Sequence, residues 1–221
     1  MREAYHVELE QLADNLADMS VQVANAMELA TKALLNADLS LAEQVIGADA
    51  KIDDARAECE EQAYALLALQ APVATDLRTV LAVIHAAESL ERMGDLALHV
   101  AKAARRRHPD SALPDPVRPL FSEMGEAVVR LALRVQEVIK SRDVEAARSL
   151  EADDDRIDEI HRHLFSVIMA KDWEFGVPAA VDVTLLGRFY ERYADHAVSV
   201  AKRMVFVVTG RMPGYGSDDD I

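Results

Sequence analysis

One cysteine, 8 glycines, 7 prolines and an aromatic content of 5% leave this sequence of 221 residues short of what disulfide frameworks, turn-rich sheets and stacking surfaces are made from. Cys59 has no second Cys, and no His at zinc-finger spacing, to pair with, which points to a reducing compartment. The shortage of turn residues and of β-favouring aromatics excludes a barrel or sandwich. Long apolar runs are missing too, the longest being stretches such as Met204 to Val208, far below the roughly 20 residues that cross a bilayer. The opening MREAYHVELEQLADN carries charge where a signal peptide needs an apolar core. The reading is therefore a cytoplasmic protein that meets a membrane only through partners. Cations are outnumbered, 24 against 39 acids for a net charge of −15, so the molecule as a whole repels nucleic acid and anionic lipid.

What is abundant is alanine, leucine, valine, glutamate and aspartate, all but valine and aspartate strong helix formers, with apolar residues recurring at three-and-four spacing over long windows. This predicts an all-α chain of six long helices. The first runs from about Ala4 to Leu35. The second opens on a capping box, Ser40 with Glu43, and continues to about Leu69, where Pro72 stops it. The third starts near Ala74 and closes on Arg105-Arg106-Arg107-His108, cations at the negative end of the helix dipole. Pro109, Pro114, Pro116 and Pro119 then mark the passage between two halves. The fourth helix runs to about Lys140, the fifth from an Asp143 cap to about Lys171, and the sixth from Pro178 to about Val208. The predicted layout is a first three-helix bundle over 1–108, a Pro-rich connection over 109–119, a second three-helix bundle over 120–210 and a flexible acidic tail over 211–221.

The halves repeat. A displacement of 105 places Asp38, Asp49, Ile52 and Asp53 on Asp143, Asp154, Ile157 and Asp158; a displacement of 100 places Glu91, Arg92, Asp95, Ala97 and Ala101 on Glu191, Arg192, Asp195, Ala197 and Ala201. The change of offset falls in the turn between second and third helix, where length varies most cheaply. Each half thus carries two acid pairs at i,i+4: Asp49/Asp53 with Glu91/Asp95, then Asp154/Asp158 with Glu191/Asp195. That spacing puts both carboxylates of a pair on one helix face, where they repel. Their distances from the hairpin turns are similar, so at about 1.5 Å rise per residue an antiparallel hairpin brings all four to one level. Glu91 and Glu191 fall inside the apolar or small-residue stripes Ile84-Ala87-Glu91-Gly94-Leu98 and Thr184-Gly187-Glu191-Ala194-Val198, where a covered charge must be paired.

A cation relieves such repulsion. With oxygen donors and no thiolate, hard or borderline ions such as Mg, Mn, Ca or Fe are favoured over structural zinc. Glu88, His99 and His196 are candidate additional ligands, whereas His85, His161 and His163 stand at no ligand spacing. The bland alternative is that an acidic helical protein makes such pairs freely, as at Glu10/Asp14 or Asp155/Glu159; recurrence at aligned positions favours a site. Other chemistries find no support. A di-iron oxidase needs Glu-x-x-His on two helices and only Glu3-Ala4-Tyr5-His6 fits. Cys59, between Glu58 and Glu60, is a poor nucleophile, and no Gly-rich phosphate cradle is present. The Arg105–Arg107 run reads as a dipole complement, and Trp173 with Phe175 as a hairpin plug.

The stretches Asp76-Leu77-Arg78, Leu90-Glu91-Arg92-Met93-Gly94-Asp95 and Arg188-Phe189-Tyr190-Glu191-Arg192-Tyr193-Ala194-Asp195-His196 resemble the twin signature of the PhoU family, and the resemblance spans both halves. It implies tandem three-helix bundles and a cytoplasmic negative regulator of the phosphate starvation response, an adaptor between the ATPase of the phosphate ABC transporter and a sensor histidine kinase. It also implies a non-enzymatic protein, dimeric in several members, with iron or zinc clusters on the Glu/Asp-x-x-x-Asp motifs of some. By that match Glu91, Asp95, Glu191 and Asp195 are the motif acids, and Asp49, Asp53, Asp154 and Asp158 the second-helix acids. Tyr190 and Tyr193 replace the family's usual aliphatic residues, and the stretch from Asp172 to Gly187 is shortened. Glu88 against Arg188 makes the first site the better expected metal binder. Two other functions compete: a metal-dependent phosphohydrolase, and a structural protein with solvated acidic faces.

Overall fold

The computed structural model describes residues 2–211, with side chains from Tyr5 onward, and among them every regular element is helical. The order is α1 (Arg2–Asn36), α2 (Leu39–Ala48), α3 (Ala50–Gln70), α4 (Ala74–Arg107), a single 3-10 turn (Asp115–Val117), α5 (Arg118–Ser141), α6 (Val144–Ile168) and α7 (Gly176–Thr209). The predicted second helix is present as α2 and α3. They share an axis through Asp49, whose dihedrals stay helical, but the Ile52 amide turns to the Asp49 carbonyl three residues back, a local 3-10 tightening that divides them. The C-terminal acidic tail and the Glu3 side chain lie outside the described residues.

Helix ends follow local chemistry, with one correction. Asp143 caps α6 as expected, accepting from the amides of Glu145 and Ala146. The cap of α2 is its repeat partner Asp38, accepting from Leu41 N–H at 3.0 Å, and not Ser40, which already lies inside the first turn. The chain leaves α1 through Ala37 in the left-handed region, which makes Asp38 the last extended residue and so the one whose carboxylate faces the free amides. The last helix begins at Gly176, two residues before Pro178. Trp173 packs against the core beneath this turn, donates to the Gly176 carbonyl at 3.0 Å and meets the Phe175 ring edge-on.

Two three-helix units, α1 with α2/α3 and α4, and α5 with α6 and α7, are joined through a four-helix centre of α1, α4, α5 and α7. The buried apolar residues of both form one contiguous core. α4 and α7 cross antiparallel: Arg78 donates to the Val207 carbonyl near one end, His99 stacks on Phe189 with ring centroids 5.3 Å apart, and Arg107 binds Asp182 near the other. Their buried faces repeat at the same displacement of 100, Leu90, Met93, Ala97 and Ala101 answering Tyr190, Tyr193, Ala197 and Ala201. α1 and α5 approach so closely that a Cβ on Gly125 would overlap the Thr31 side chain, which fixes glycine there. Thr31 in turn shares a 2.8 Å hydrogen bond with the fully buried Tyr190 hydroxyl. The Pro-rich connection is packed, with Leu113 and Val117 buried. α3 and α6 lie outside this centre, α3 touching α1 and α4, and α6 touching α5 and α7. Each therefore borders one cleft, α3–α4 and α6–α7, and those clefts receive the acids.

Candidate functional site

In the first cleft Asp49 feels the charges of Asp53 and Asp95, and Glu91 those of Asp95 and Asp53. In the second, Asp154 feels Asp195, Asp158 and Glu191, and Glu191 feels Asp195 and Asp158. The hairpins thus hold the paired acids at matched levels, Asp49 by Asp95 and Asp53 by Glu91, then Asp154 by Asp195 and Asp158 by Glu191. Antiparallel register does this, because residues equidistant from a turn return to the same height. One turn nearer each hairpin tip than Asp53 and Asp158 stand Arg56 and His161, which the displacement of 105 superposes and which the acid motifs give no reason to single out.

The two clefts neutralise themselves differently. In the first, Arg92 binds Asp95 at 2.9 Å and Glu91 at 3.5 Å. Arg56, held to Glu60 at 2.7 Å, lends its charge to Glu91, and Lys102 and His99 lend theirs to Asp49. Burial and the neighbouring acids still raise the Asp49 and Glu91 carboxyls, against these cations. In the second cleft Arg188 binds one oxygen of Glu191, while Glu191 Oε2, Asp154 Oδ1 and His161 Nε2 are buried without a hydrogen-bond partner. Burial first, then Asp195, Asp158, Asp155 and Glu191, pushes the Asp154 carboxyl up to about 6. The His161 ring lies over α7, its Cδ2 only 3.0 Å from where a Cβ on Gly187 would stand. Burial and Arg188 hold its pKa below the ordinary histidine value, so the ring is neutral at pH 7.

Among the described residues no three His, Cys, Asp or Glu side chains converge closely enough to ligate one ion. The donor chemistry nevertheless differs between clefts: oxygens already served by cations in the first, orphaned oxygens and an orphaned imidazole nitrogen in the second. Of the candidate additional ligands, His99 is exposed and stacks on Phe189, and His196 lies among Arg192, Asp195, Arg92 and Glu88 at the α4–α7 crossing. Glu88 is exposed. A cavity of about 310 Å³ opens between α1 and α2/α3 beside Asp49, lined by Leu29, Val45 and Ile52 and by the polar Gln22, Asn25 and Lys51.

Several features were not visible in the motifs. Arg106 and Arg107 do more than complement a dipole: both bind the buried Asp182 at the start of α7, tying the end of one half to the other, while Arg105 reaches Glu43 at 3.4 Å. Asp182 stands where the first half has Ala82, so the repeat conceals it. Cys59 is buried, and burial with Glu58 and Glu60 pushes its thiol up to about 11, which leaves it unreactive at neutral pH. No described helix is long and apolar enough to cross a membrane.

Fold and site together define an all-α protein of tandem three-helix repeats with one acidic cleft per repeat. Its sequence matches the family model of the PhoU domain twice, over residues 16–104 and 121–204, and the chain belongs to the PhoU family. It is 55% identical over 213 residues to the phosphate-specific transport system accessory protein PhoU homolog 1 of Mycobacterium leprae, covering 96% of both chains. It is 54% identical to PhoU homolog 2 of Mycobacterium tuberculosis, covering 96% of this chain and 100% of that one. Among solved structures, PhoU from Pseudomonas aeruginosa superposes with a TM-score of 0.82 at 25% identity, over 94% of this chain and 100% of that one. The phosphate transport regulatory protein PhoU from Streptococcus pneumoniae shares the fold, with a TM-score of 0.85 over 94% and 98% of the two chains at 24% identity.

Proposed function

We propose that this chain is a non-enzymatic adaptor that restrains the phosphate starvation response, working in the cytoplasm between the ATPase of a phosphate ABC transporter and a sensor histidine kinase. The observation that carries the reading is full-length similarity, above half identity, to mycobacterial proteins named as accessory to the phosphate-specific transport system. The architecture suits the role: a shared four-helix centre joins the halves, and the two clefts repeat one set of four acids on separate surfaces. Metal ions bound by the cleft acids would act as structural or regulatory staples, drawing α3 to α4 or α6 to α7 and thereby shaping a docking surface. The chain works as a homodimer and reaches the membrane through its partners. Deleting the gene and following a phosphate-starvation reporter tests the reading. Reporter expression in phosphate-rich medium is expected; a reporter still fully repressed by phosphate, in a strain lacking any related copy, would overturn it.

A further inference from the structure

We infer that the outer face of the α6–α7 hairpin docks an amphipathic helix of a partner protein. The apolar stripe of that helix seats on Phe165, Met169, Val177, Val181 and Leu185, and its lysines or arginines lie further along, over the acids of the same hairpin. The inference rests on the adaptor reading and adds which surface holds a partner and what chemistry the partner's segment has.

Three observations carry it. The first is contiguity. On α6, Asp154, Asp158, His161, Phe165 and Met169 follow one another in steps of three or four and so share one side of the helix. On α7, Val177, Val181, Leu185, Arg188, Glu191 and Asp195 do the same. His161 packed over Gly187 fixes the register of the two rows. Phe165 and Met169 therefore lie level with Leu185, Val181 and Val177 towards the hairpin tip, and the acids lie at the other end. Phe165 meets His161 with ring centroids 5.1 Å apart, so the apolar stretch runs up to the acidic one without a gap. All five apolar side chains are exposed, Met169 and Val177 by 79% and 75%. Exposed apolar residues scattered singly are ordinary, but five on adjoining turns of two packed helices form the kind of patch that marks an interaction site.

The second is what the repeat keeps and what it drops. Tyr64, Leu77 and Leu81 stand at the positions of Met169, Val177 and Val181 and are exposed as well. Phe165, however, answers to Glu60, which binds Arg56 at 2.7 Å, and Leu185 answers to His85. The first hairpin thus offers a shorter apolar stretch bordered by an ion pair of its own. The third is charge. Beyond the apolar stretch of α6–α7 stand Asp154, Asp158, Glu191 and Asp195. Arg188 holds one oxygen of Glu191, while Glu191 Oε2 and Asp154 Oδ1 have no hydrogen-bond partner. On a chain of net charge −15, such a face repels anionic lipid, nucleic acid and the same face of a second copy, and attracts a segment apolar at one end and basic at the other. At about 1.5 Å rise per residue, Val177 and Asp195 lie about 27 Å apart, so a partner helix of about five turns covers both ends.

Photocrosslinking in cells grown in phosphate-rich medium tests this. The photoreactive residue p-benzoylphenylalanine is placed in the full chain at Val181, at its repeat counterpart Leu81 and at Leu133, an exposed apolar control on α5, and the crosslinked segment is sequenced by mass spectrometry. The expected adduct at Val181 is to one protein segment, apolar along one helical face with lysine or arginine about two to three turns beyond; adducts at Leu81 and Leu133 should be weaker or absent. A synthetic peptide of that segment should bind the purified chain about tenfold more weakly after Val181→Asp and severalfold more weakly after Asp158→Asn. Should Val181→Asp fail to fold by circular dichroism, Val181→Ser replaces it. An adduct to lipid or to a second copy, a segment without basic residues, equal adducts at Leu81, no protein adduct at Val181, or unchanged peptide binding in the variants would each overturn the inference. A chain that forms no such adduct yet still represses the reporter sinks only this inference and leaves the adaptor reading standing.

Discussion

The α3–α4 and α6–α7 clefts have the same acids at the same heights on the same pair of helices, and they meet the resulting repulsion in opposite ways. The first builds its counter-charges into the chain, with Arg92 on Glu91 and Asp95, Arg56 beside Glu91 and Lys102 beside Asp49. The second leaves Asp154 facing only like charges and places a neutral His161 where Arg56 stands. Duplication therefore fixed the position of the acids more strictly than the means of neutralising them. The reason is geometric: Asp49, Glu91, Asp154 and Glu191 are half-buried at positions set by helix packing, whereas Arg92, Lys102 and Arg188 project from exposed positions that a single substitution changes without disturbing the core.

The comparison can be broken or sharpened by mutation. The scaffold beneath both clefts should respond alike: Ile52→Ala and Ile157→Ala each remove a buried residue at equivalent positions and should cost about 2–4 kcal/mol in urea unfolding. A much larger loss for one would show that the halves are packed to different tolerances. Asp182→Ala, which has no counterpart in the first half, removes the buried partner of Arg106 and Arg107. Because both arginines remain hydrated, the loss should be about 1–2 kcal/mol, below that of a fully buried pair.

Asp154→Asn should act in the other direction. The folded chain holds the Asp154 carboxyl near 6, above its usual value of 3.8, because burial and four neighbouring acids oppose its charge. Between those values the native state binds more protons than the unfolded one, so stability falls as pH rises through about 4 to 6. The neutral isostere should therefore gain about 1–2 kcal/mol at pH 7.5, without added metal, and nothing near pH 4. Asp49→Asn should gain less, since Lys102 already offsets its neighbours. Denaturation of both variants at the two pH values measures the difference directly.

The smallest contrast lies between two tyrosines that replace Leu90 and Met93 of the first half. Tyr190→Phe breaks the hydrogen bond to buried Thr31 and should cost about 1 kcal/mol. Tyr193→Phe removes a fully buried hydroxyl that has no partner and should be neutral or stabilising by up to about 1 kcal/mol. Thermal melts of the two variants, moving in opposite directions or one moving alone, would support that assignment; equal losses would refute it.

Much of this was legible in the amino-acid order. Periodicity announced the helices, because burial of one face every 3.6 residues must be written into the sequence that does it. The acid pairs were legible for a related reason: charges inside an apolar stripe stand out, and their distances from two turns predicted the level at which antiparallel partners meet. The break at Asp49, by contrast, leaves no signal, since Asp49 keeps helical dihedrals and only its hydrogen bonding shifts. Ser40 looked like the better cap because capping depends on which residue is last to be extended, and the left-handed Ala37 decided that.

By itself, then, the sequence determined what depends on near neighbours and on period: all-helical elements, their twofold repetition and the facing of four acids in each half. The tertiary structure alone decided which cations reach which acids, that Arg106 and Arg107 close on Asp182, and that Arg56 and His161 occupy equivalent places beside the acid levels. The pairings of Arg56 with Glu91, Lys102 with Asp49 and Arg106 with Asp182 join residues 35 to 76 positions apart, and their strength depends on burial and separation, neither of which exists until the helices have packed.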